Sequence, residues 1–264
     1  MRSLVSIGLA SLLLGCPSAN RPASQSSITD PDILLERAIE QAGGAVALEG
    51  ARALIWDADA VVEAGGRTVN IAGTWSVQPP DTAIVATYDT THGPGSTRAL
   101  IVAAPRGWIA SNGRVEPMPA TMLQNERDEF RLYDVMRLVS LRGRGVRRFA
   151  IEPDNRGQRG FRVEEAGRAD VELYVDWAGR LSHIRSSVRD ASTGAPVRQD
   201  IWLSGTIEAA GVRWPRRIRI TLDDAPYFTM TLRSLRITER IDDPRLNGPP
   251  AQAPPGMPPT SRGR

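Results

Sequence analysis

The spacing of apolar residues along the chain changes from a helical period to an alternating one. Over residues 31–46 apolar side chains recur at helical spacing, behind Asp30, which can cap a helix, and Pro31, which suits the first helical position. We expect Gly43-Gly44 to break or bend this helix. From residue 53 onward apolar and polar residues alternate, which is typical of strands with one buried face.

The alternating segments predict a sheet of consecutive antiparallel strands. The first two, over residues 53–64 and 68–78, flank Gly65-Gly66, a two-residue hairpin signal. Roughly a dozen such segments follow one another as far as residue 237, joined by short turns and without strand–helix–strand alternation. A sheet with so many long strands is expected to curl rather than stay flat.

One predicted helix, over residues 121–141, interrupts the strands. Its second half places apolar side chains around most of its circumference, and such a helix needs burial on most sides. The concave side of a curled sheet would bury it. The predicted fold class is therefore mainly β with some α: a curved antiparallel sheet forming an incomplete, half-open barrel, with an N-terminal helix and a mid-chain lid helix.

The first residues, MRSLVSIGLASLLLGC, have the pattern of a secretory signal. Arg2 precedes an apolar stretch, residues 4–14, that is too short to cross about 30 Å of hydrocarbon as a helix. The stretch leads into LLGC, residues 13–16, which resembles the lipobox of bacterial lipoproteins. That resemblance implies cleavage before Cys16 and attachment to a membrane through acyl chains on this cysteine. The alternative is an ordinary signal peptide followed by an incidental cysteine.

Composition divides the chain into four parts. Residues 1–15 are the expected signal peptide, and residues 16–29, polar and rich in proline and serine, are expected to form a flexible tether behind the lipidated cysteine. Residues 30–241 hold the predicted half-barrel domain. Residues 242–264 are rich in proline and glycine and are expected to be disordered.

Cysteine content and charge exclude several classes of function. Cys16 is the single cysteine among 264 residues, so the domain should have no internal disulfide, cysteine-based metal site or thiol nucleophile. The 33 basic residues are all arginine, and they are nearly balanced by 30 acidic residues. Nucleic-acid binding normally needs a basic face. We therefore expect no nucleic-acid partner.

No residue pattern in the sequence indicates catalysis. His92 and His183 are the two histidines, and neither belongs to a metal-binding spacing such as HExxH. The sequence has no GxSxG nucleophile elbow, phosphate-binding loop or dinucleotide fingerprint. The aspartate pairs at 223–224 and 242–243 fall at predicted turns, where aspartate is favoured for local hydrogen bonds. We expect no enzymatic activity, cofactor or metal.

The leading helix, the meandering strands and the helical insertion together resemble the LolA/LolB superfamily of lipoprotein-localisation factors. Gly73-x-Trp75 followed by two prolines is similar to the family's second and third strands. The segment APRGW, residues 104–108, stands where members often place a glycine turn before an aromatic residue. The resemblance implies an incomplete barrel with an apolar cavity for acyl chains. The sequence has no clear counterpart to the exposed apolar loop by which the membrane-bound member takes up cargo.

The expected ligand site is the concave side of the sheet beneath the lid helix. We expect Gly73 to leave space there beside Trp75. The expected lining residues are Trp56, Val69, Ile71, Trp75, Val77, Phe130, Tyr133 and Met136. The expected function is that of a cell-envelope lipoprotein that carries or sorts a lipid or the acyl chains of lipoprotein cargo. By the lipoprotein resemblance, Pro17 in place of aspartate after Cys16 favours the outer membrane, with the domain facing the periplasm.

Two other interpretations remain open. In the first, Phe130, Tyr133 and Met136 fill the interior permanently, and the protein is a non-catalytic scaffold that recruits partners through its surface. In the second, the chain is a hydrolase, which would need a convergent polar cleft that the sequence does not indicate.

Overall fold

The computed structural model describes residues 30–189 and 194–249. The expected signal peptide, the lipidation site at Cys16 and the tether lie outside the described residues, as do residues 190–193 and 250–264. Within the described ranges, no helix combines the length and apolar character needed to cross a membrane.

The helices lie where the helical spacing predicts them. They are α1 (Pro31–Gln41), α2 (Ala45–Gly50) and α3 (Ala120–Met136), with 3₁₀ turns at Pro94–Ser96, Val139–Arg142 and Pro244–Leu246. The break between α1 and α2 falls at Gly43-Gly44, where both glycines have positive φ. The side chain of Asp30 accepts a hydrogen bond from the amide of Asp32 and so caps α1.

Strands account for most of the remaining described residues. They are β1 (Ala53–Ala64), β2 (Arg67–Gln78), β3 (Thr82–Asp89), β4 (Arg98–Ala103), β5 (Arg106–Ser111), β6 (Arg114–Pro117), β7 (Val146–Ile151), β8 (Arg159–Glu165), β9 (Val171–Val175), β10 (Leu181–Arg189), β11 (Pro196–Ser204), β12 (Ile207–Ala209), β13 (Val212–Trp214), β14 (Arg217–Leu222), β15 (Ala225–Leu232) and β16 (Arg236–Thr238).

Fourteen of these strands form one antiparallel sheet that does not close on itself. Its order is β6-β5-β4-β3-β2-β1-β15-β14-β11-β10-β9-β8-β7, and β16 adds to β1, while β12 and β13 form a separate hairpin. The two edge strands, β6 and β7, are consecutive along the chain, and α3 joins them. The helix therefore has to cross the opening between the two edges. This confirms the prediction of a half-open barrel with a lid helix.

The inner face of the sheet and the helices share one core. Leu54, Trp56 and Ala58 of β1 lie opposite Val77, Trp75 and Gly73 of β2, which places all of them on the inner face. Buried residues from both halves of the sheet belong to the same apolar cluster as four residues of α1 and four of α3. The four from α1 are Leu34, Leu35, Ala38 and Ile39.

Gly73 does not leave space beside Trp75, in contrast to the expectation from sequence. It lies opposite Thr87 of β3, and a Cβ atom at this position would fall 2.1 Å from the carbonyl oxygen of Ala86. The backbones of β2 and β3 therefore approach too closely there for any side chain, and glycine at this position permits that approach.

Three element boundaries differ from those predicted. The helix predicted over 121–141 ends at Met136, because Leu138 has a positive φ of 64° and a 3₁₀ turn follows. The alternating pattern of residues 212–222, which is typical of a single strand, is divided between β13 and β14 at Pro215, whose nitrogen has no hydrogen for strand pairing. Regular structure continues past residue 241, where Leu246 packs against the outer face of β4 and β5.

Candidate functional site

The lid helix α3 is fastened to both halves of the sheet. Nη2 of Arg127 lies 2.6 Å from Oδ1 of Asp81, in the turn before β3. On the other side, Nη2 of Arg131 lies 3.3 Å from Oε2 of Glu165, at the end of β8. These two ion pairs hold the helix across the opening between the edge strands. The residues of α3 on the side away from these arginines can then face the interior of the half-barrel.

Part of the interior beneath α3 is filled. The ring centroid of Tyr133 lies 5.1 Å from that of Trp56 and 6.4 Å from that of Phe130. The indole N–H of Trp56 donates to Sδ of Met230 over 3.4 Å, and Trp56 has no exposed surface. Aromatic rings in such contact are well packed, so this region is core.

Toward the turn between β1 and β2 the interior is open. Val69 faces Val62 across the two strands and is 38% exposed, although its position is on the inner face. Phe228 of β15 lies opposite Val62 on its other side, and both Phe228 and Ile71 are only partly buried. We call the part of the inner face formed by Val62, Val69, Ile71 and Phe228 the recess.

Tyr227 lies at an irregularity in the pairing of β14 and β15. The register between β14 and β15 shifts next to Phe228, and an extra residue at such a shift changes the direction of its side chain. Tyr227 is 37% exposed. Burial raises the pKa of its phenol, and the charges of Glu129 and Glu126 raise it further.

Two carboxylates project from the inner face of α3. Glu126, Glu129 and Tyr133 lie within about 60° of one another around a helix that turns about 100° per residue. Burial, and then the charge of Glu129, raises the pKa of Glu126 to about 7, while the charge of Arg98 opposes the shift. Burial also raises the pKa of Glu129.

Glu129 is exposed to solvent by accessible surface, yet its carboxylate is desolvated. Solvent exposure and a raised pKa occur together in a side chain that water still reaches but that has many protein atoms a few ångströms away.

The phenol of Tyr133 lies on the same face of α3. Burial raises its pKa, followed by the charges of Glu129 and Glu126. No described residue forms a hydrogen bond with its hydroxyl group. The polar groups that influence one another electrostatically here are thus the two carboxylates, the two phenols and the guanidinium group of Arg98 at the start of β4, which acts on Glu126.

The eight expected lining residues occupy three places. Those buried in the core are Trp56, Trp75, Val77 and Phe130. Those that line the recess are Val69, Ile71 and Tyr133. Met136 lies at the other end of the interior, in a cleft of about 320 Å³ that it shares with Leu138, Leu203 and Trp214. The structure therefore does not bring all eight together.

Neither histidine lies in the recess. His92 is exposed, with Nδ1 3.1 Å from Oδ2 of Asp89. His183 is buried on the outer face of the sheet, with Nε2 2.7 Å from Oδ1 of Asp200 and its ring stacked 3.8 Å from that of Trp202. In residues 30–189 and 194–249, no group of three or more His, Cys, Asp or Glu side chains could hold a metal ion.

Sequence reasoning missed Glu126, Glu129 and Tyr227. The helical period offered a signal for the first two, because they lie seven and four residues before Tyr133 and so share its face. No comparable signal existed for Tyr227. Strict alternation along β15 assigns it to the outer face, and the irregularity in pairing beside it cannot be read from the sequence.

The sequence matches no protein-family model and no curated protein. Solved structures match over most of the chain. A putative outer membrane lipoprotein-sorting protein domain from Vibrio parahaemolyticus matches with a TM-score of 0.51 and 14% identity, covering 83% of this chain and 97% of that one. A LolA superfamily protein from Nitrosomonas europaea matches with a TM-score of 0.50 and 10% identity, covering 81% and 96%. The LolA-like fold that the sequence resemblance implied is confirmed. At such low identity the likeness concerns the fold alone.

Proposed function

We propose that this chain, which has a LolA-like fold, binds an apolar ligand in the recess and acts as a carrier or sorting protein of the cell envelope rather than as an enzyme. The ligand would be a lipid or the acyl chains of lipoprotein cargo. The observation that carries the proposal is the partial exposure of Val69, Ile71 and Phe228 on the inner face, where neighbouring positions of the same strands are buried.

Exposed apolar surface inside a domain is unfavourable unless something covers it. Burial of apolar surface is favourable by about 25 cal/mol per Å². An acyl chain in the recess would bury its own apolar surface and also that of the residues that line the recess. Apolar pockets with a few polar groups are the usual form of a small-ligand site. The recess has this composition.

The membrane attachment belongs to the same proposal. Acyl chains on Cys16 would hold the domain at the outer membrane, facing the periplasm, within reach of the lipids or lipoproteins that it binds. Cys16→Ser should release the protein from the membrane fraction into the soluble fraction. Retention of the variant in membranes would contradict the anchor and leave ligand binding in the recess untouched.

Ligand binding can be tested by filling the recess. Binding of dodecanol to the full chain carrying Cys16→Ser would be measured by isothermal titration calorimetry. Val69→Trp places an indole ring in the recess and should weaken binding at least about tenfold. Thr68→Trp, at the adjacent exposed position on the outer face, is the matched control and should bind as the parent does. Equal loss in both variants, or no binding by the parent, would contradict the proposal.

A scaffold with a filled interior is the second candidate. Trp56, Trp75, Val77 and Phe130 are all buried, so a substantial part of the interior has no room for a ligand. This candidate predicts that the parent binds neither dodecanol nor any other apolar probe. It also predicts that Val69→Trp lowers the free energy of unfolding without affecting any binding.

A further inference from the structure

The outer face of the sheet carries a row of stacked flat side chains that ends in arginine. Tyr174, His183 and Trp202 lie opposite one another on the neighbouring strands β9, β10 and β11. The ring centroid of His183 lies 5.0 Å from that of Tyr174 and 3.8 Å from that of Trp202. Arg219 of β14 lies opposite Trp202, with its guanidinium carbon 5.9 Å from the centroid of the indole ring. Because Arg219 is exposed, the row ends in a positive charge at the surface.

A second guanidinium group reaches the same indole ring from the loop between β7 and β8. The guanidinium carbon of Arg156 lies 3.9 Å from the centroid of the Trp202 ring. Asp154 holds this loop, because its Oδ1 accepts hydrogen bonds from the backbone amides of Arg156 and Gln158 over 2.9 and 2.8 Å. The side chain of Gln158 in turn accepts a hydrogen bond from the hydroxyl group of Ser182 on β10. The fold therefore fixes the backbone from which Arg156 extends.

A third arginine lies beside Arg219 on β14. Arg217 is exposed, and it is on the same face as Arg219 because side chains alternate along a strand. Thr231 and Thr229 of β15 lie opposite Arg217 and Arg219. Guanidinium and hydroxyl groups can both donate hydrogen bonds to an anion. We call the charged group and its ring the arginine cluster, with the members Arg156, Trp202, Arg217 and Arg219.

The arginines of this cluster lack the ion pairs that neighbouring arginines of the outer face have. Arg185 and Arg198 each have Nε 2.9 Å from a carboxylate oxygen of Asp200. Asp154 is directed elsewhere, since its Oδ2 lies 3.6 Å from Nδ1 of His183. Within residues 30–189 and 194–249, no carboxylate oxygen lies within 4.0 Å of a guanidinium nitrogen of the cluster. Like charges close together repel one another, and a bound anion would relieve that repulsion.

We propose that the arginine cluster is a binding site for a phosphate group, carried by a soluble molecule or by the head group of an anionic lipid. Guanidinium groups are planar forks that match the oxygens of phosphate, and hydrogen bonds between opposite charges are the strong ones. The contact of Arg156 with the Trp202 ring already orders this side chain, so binding costs less conformational entropy. The site is on the outer face of the sheet, so it does not depend on a ligand in the recess.

The number of arginines favours phosphate over a carboxylate. A phosphate group carries about two negative charges at neutral pH and has several acceptor oxygens, so one group can accept hydrogen bonds from more than two arginines. A carboxylate carries one charge on two oxygens and leaves part of the cluster without a partner. At equal ionic strength we therefore expect phosphate to bind more tightly than acetate.

The first arm of the test uses inorganic phosphate. It would be titrated into the isotopically labelled full chain carrying Cys16→Ser, at about pH 8, where phosphate is mostly a dianion. Sodium chloride would keep the ionic strength constant. NMR would follow the indole N–H signal of Trp202, assigned with Trp202→Phe. We expect a saturable shift with a dissociation constant on the order of 1 mM. In the double variant Arg156→Gln, Arg219→Gln the affinity should fall at least about tenfold.

Arg147→Gln is the matched control. The guanidinium carbon of Arg147 lies 5.6 Å from the centroid of the Phe149 ring, and its Nη2 lies 2.8 Å from Oε2 of Glu164. This variant therefore removes an exposed arginine that lies beside an aromatic ring but has a carboxylate partner, and it should bind phosphate as the parent does. All the substituted arginines are exposed, so each variant should fold, and thermal denaturation would verify this.

The second arm identifies the source of the phosphate group. The same proteins would be sedimented with vesicles of phosphatidylcholine alone, or of phosphatidylcholine and phosphatidylglycerol in equal parts. Binding only to vesicles with phosphatidylglycerol, lost in the double variant and kept in Arg147→Gln, would support the site and assign it to a lipid head group. Binding of inorganic phosphate with the same dependence on the variants, without vesicle binding, would support the site and assign it to a soluble molecule.

Several results would overturn the proposal and leave the proposed function standing. One is that neither inorganic phosphate nor vesicles with phosphatidylglycerol bind to the parent. Another is that acetate shifts the Trp202 signal as strongly as phosphate does. The proposal would also be overturned if the double variant bound like the parent, or if Arg147→Gln lost as much affinity as the double variant.

Discussion

The ring of Tyr133 lies 5.1 Å from the ring of Trp56, tilted by 53°. This contact joins the lid helix to the central strand of the sheet, because Trp56 is on β1, from which both halves of the sheet extend. Its position also separates the two parts of the interior, with packed core on one side and the recess on the other. Tyr133 therefore has two roles, one for its ring and one for its hydroxyl group.

Substitutions at Tyr133 should separate those roles. Tyr133→Ala removes the ring contacts with Trp56 and Phe130 and should lower the free energy of unfolding by about 2–3 kcal/mol. Tyr133→Phe keeps the ring and removes a hydroxyl group that has no described partner, so stability should change by less than about 0.5 kcal/mol. Urea denaturation followed by tryptophan fluorescence would measure both. A large loss for Tyr133→Phe would reveal a hydrogen bond that the structure does not contain.

Gly73→Ala should be strongly destabilising. A methyl group at this position would collide with the backbone of β3 at Ala86, and the collision cannot be relieved by a side-chain rotation. We expect a loss of about 3 kcal/mol or more, measured by thermal and urea denaturation. Gly50→Ala is the control, because nothing lies within 4 Å of a Cβ atom there and its φ is not positive. The free energy of unfolding of Gly50→Ala should equal that of the parent or be slightly higher.

The buried His183 should make the protein sensitive to acid. Nε2 of His183 lies 2.7 Å from Oδ1 of Asp200, and a neutral ring with its hydrogen on Nε2 can donate to this carboxylate, which only accepts. Burial lowers the pKa of His183 despite the opposing effects of Asp200. The unfolded chain therefore binds a proton below about pH 6.5 that the folded chain does not bind, and stability declines as the pH falls through that window.

Replacement of His183 by phenylalanine should remove this contribution to the pH dependence. His183→Phe keeps a flat ring between Trp202 and Tyr174 and leaves Asp200 paired with Arg185 and Arg198. The difference in unfolding free energy between variant and parent, measured by urea denaturation from about pH 8 to pH 5, should shift in favour of the variant as the pH falls. A constant difference would show that His183 does not titrate differently in the two states.

Glu126 should affect stability in the opposite direction. Its pKa is raised to about 7 in the folded protein, by burial first and by Glu129 second. The folded chain then holds a proton that the unfolded chain loses above about pH 4.5, so its ionisation at higher pH destabilises the fold. Glu126→Gln should be more stable than the parent by roughly 2 kcal/mol at about pH 8, and the gain should disappear near pH 4. Equal stability of the two proteins at pH 8 would show that the carboxylate is fully solvated.

Local patterns in the sequence were sufficient to predict the architecture. Alternation from Ala53 to Gln78 placed β1 and β2 correctly, and Gly65-Gly66 placed the turn between them, because strand period and turn conformation are local properties. The position of α3 as a lid could also be predicted, because a helix that joins two edge strands has no apolar surface to cover except the inner face of the sheet.

The composition of the recess depended on features that are not local. Trp75 and Val69 are both inward residues of β2, yet one is buried by other elements and the other is not. Periodicity gives the face that a residue occupies but not the elements that pack on it. Tyr227 was missed because the irregularity in strand pairing beside it leaves no mark in the sequence. Glu126 was missed because polar residues on an inner helix face contradict the usual pattern.

The most direct test is to locate a bound apolar chain in a crystal of the full chain carrying Cys16→Ser. Dodecanol tagged with bromine at the end of its chain would be used for the soak, and the anomalous signal of bromine would give its position. We expect the bromine peak between β1 and β2 on one side and α3 on the other, within contact distance of Val69 or Phe228. A crystal with the probe only in the cleft near Trp214, or with no bound probe at a concentration that saturates binding in solution, would contradict a ligand site in the recess.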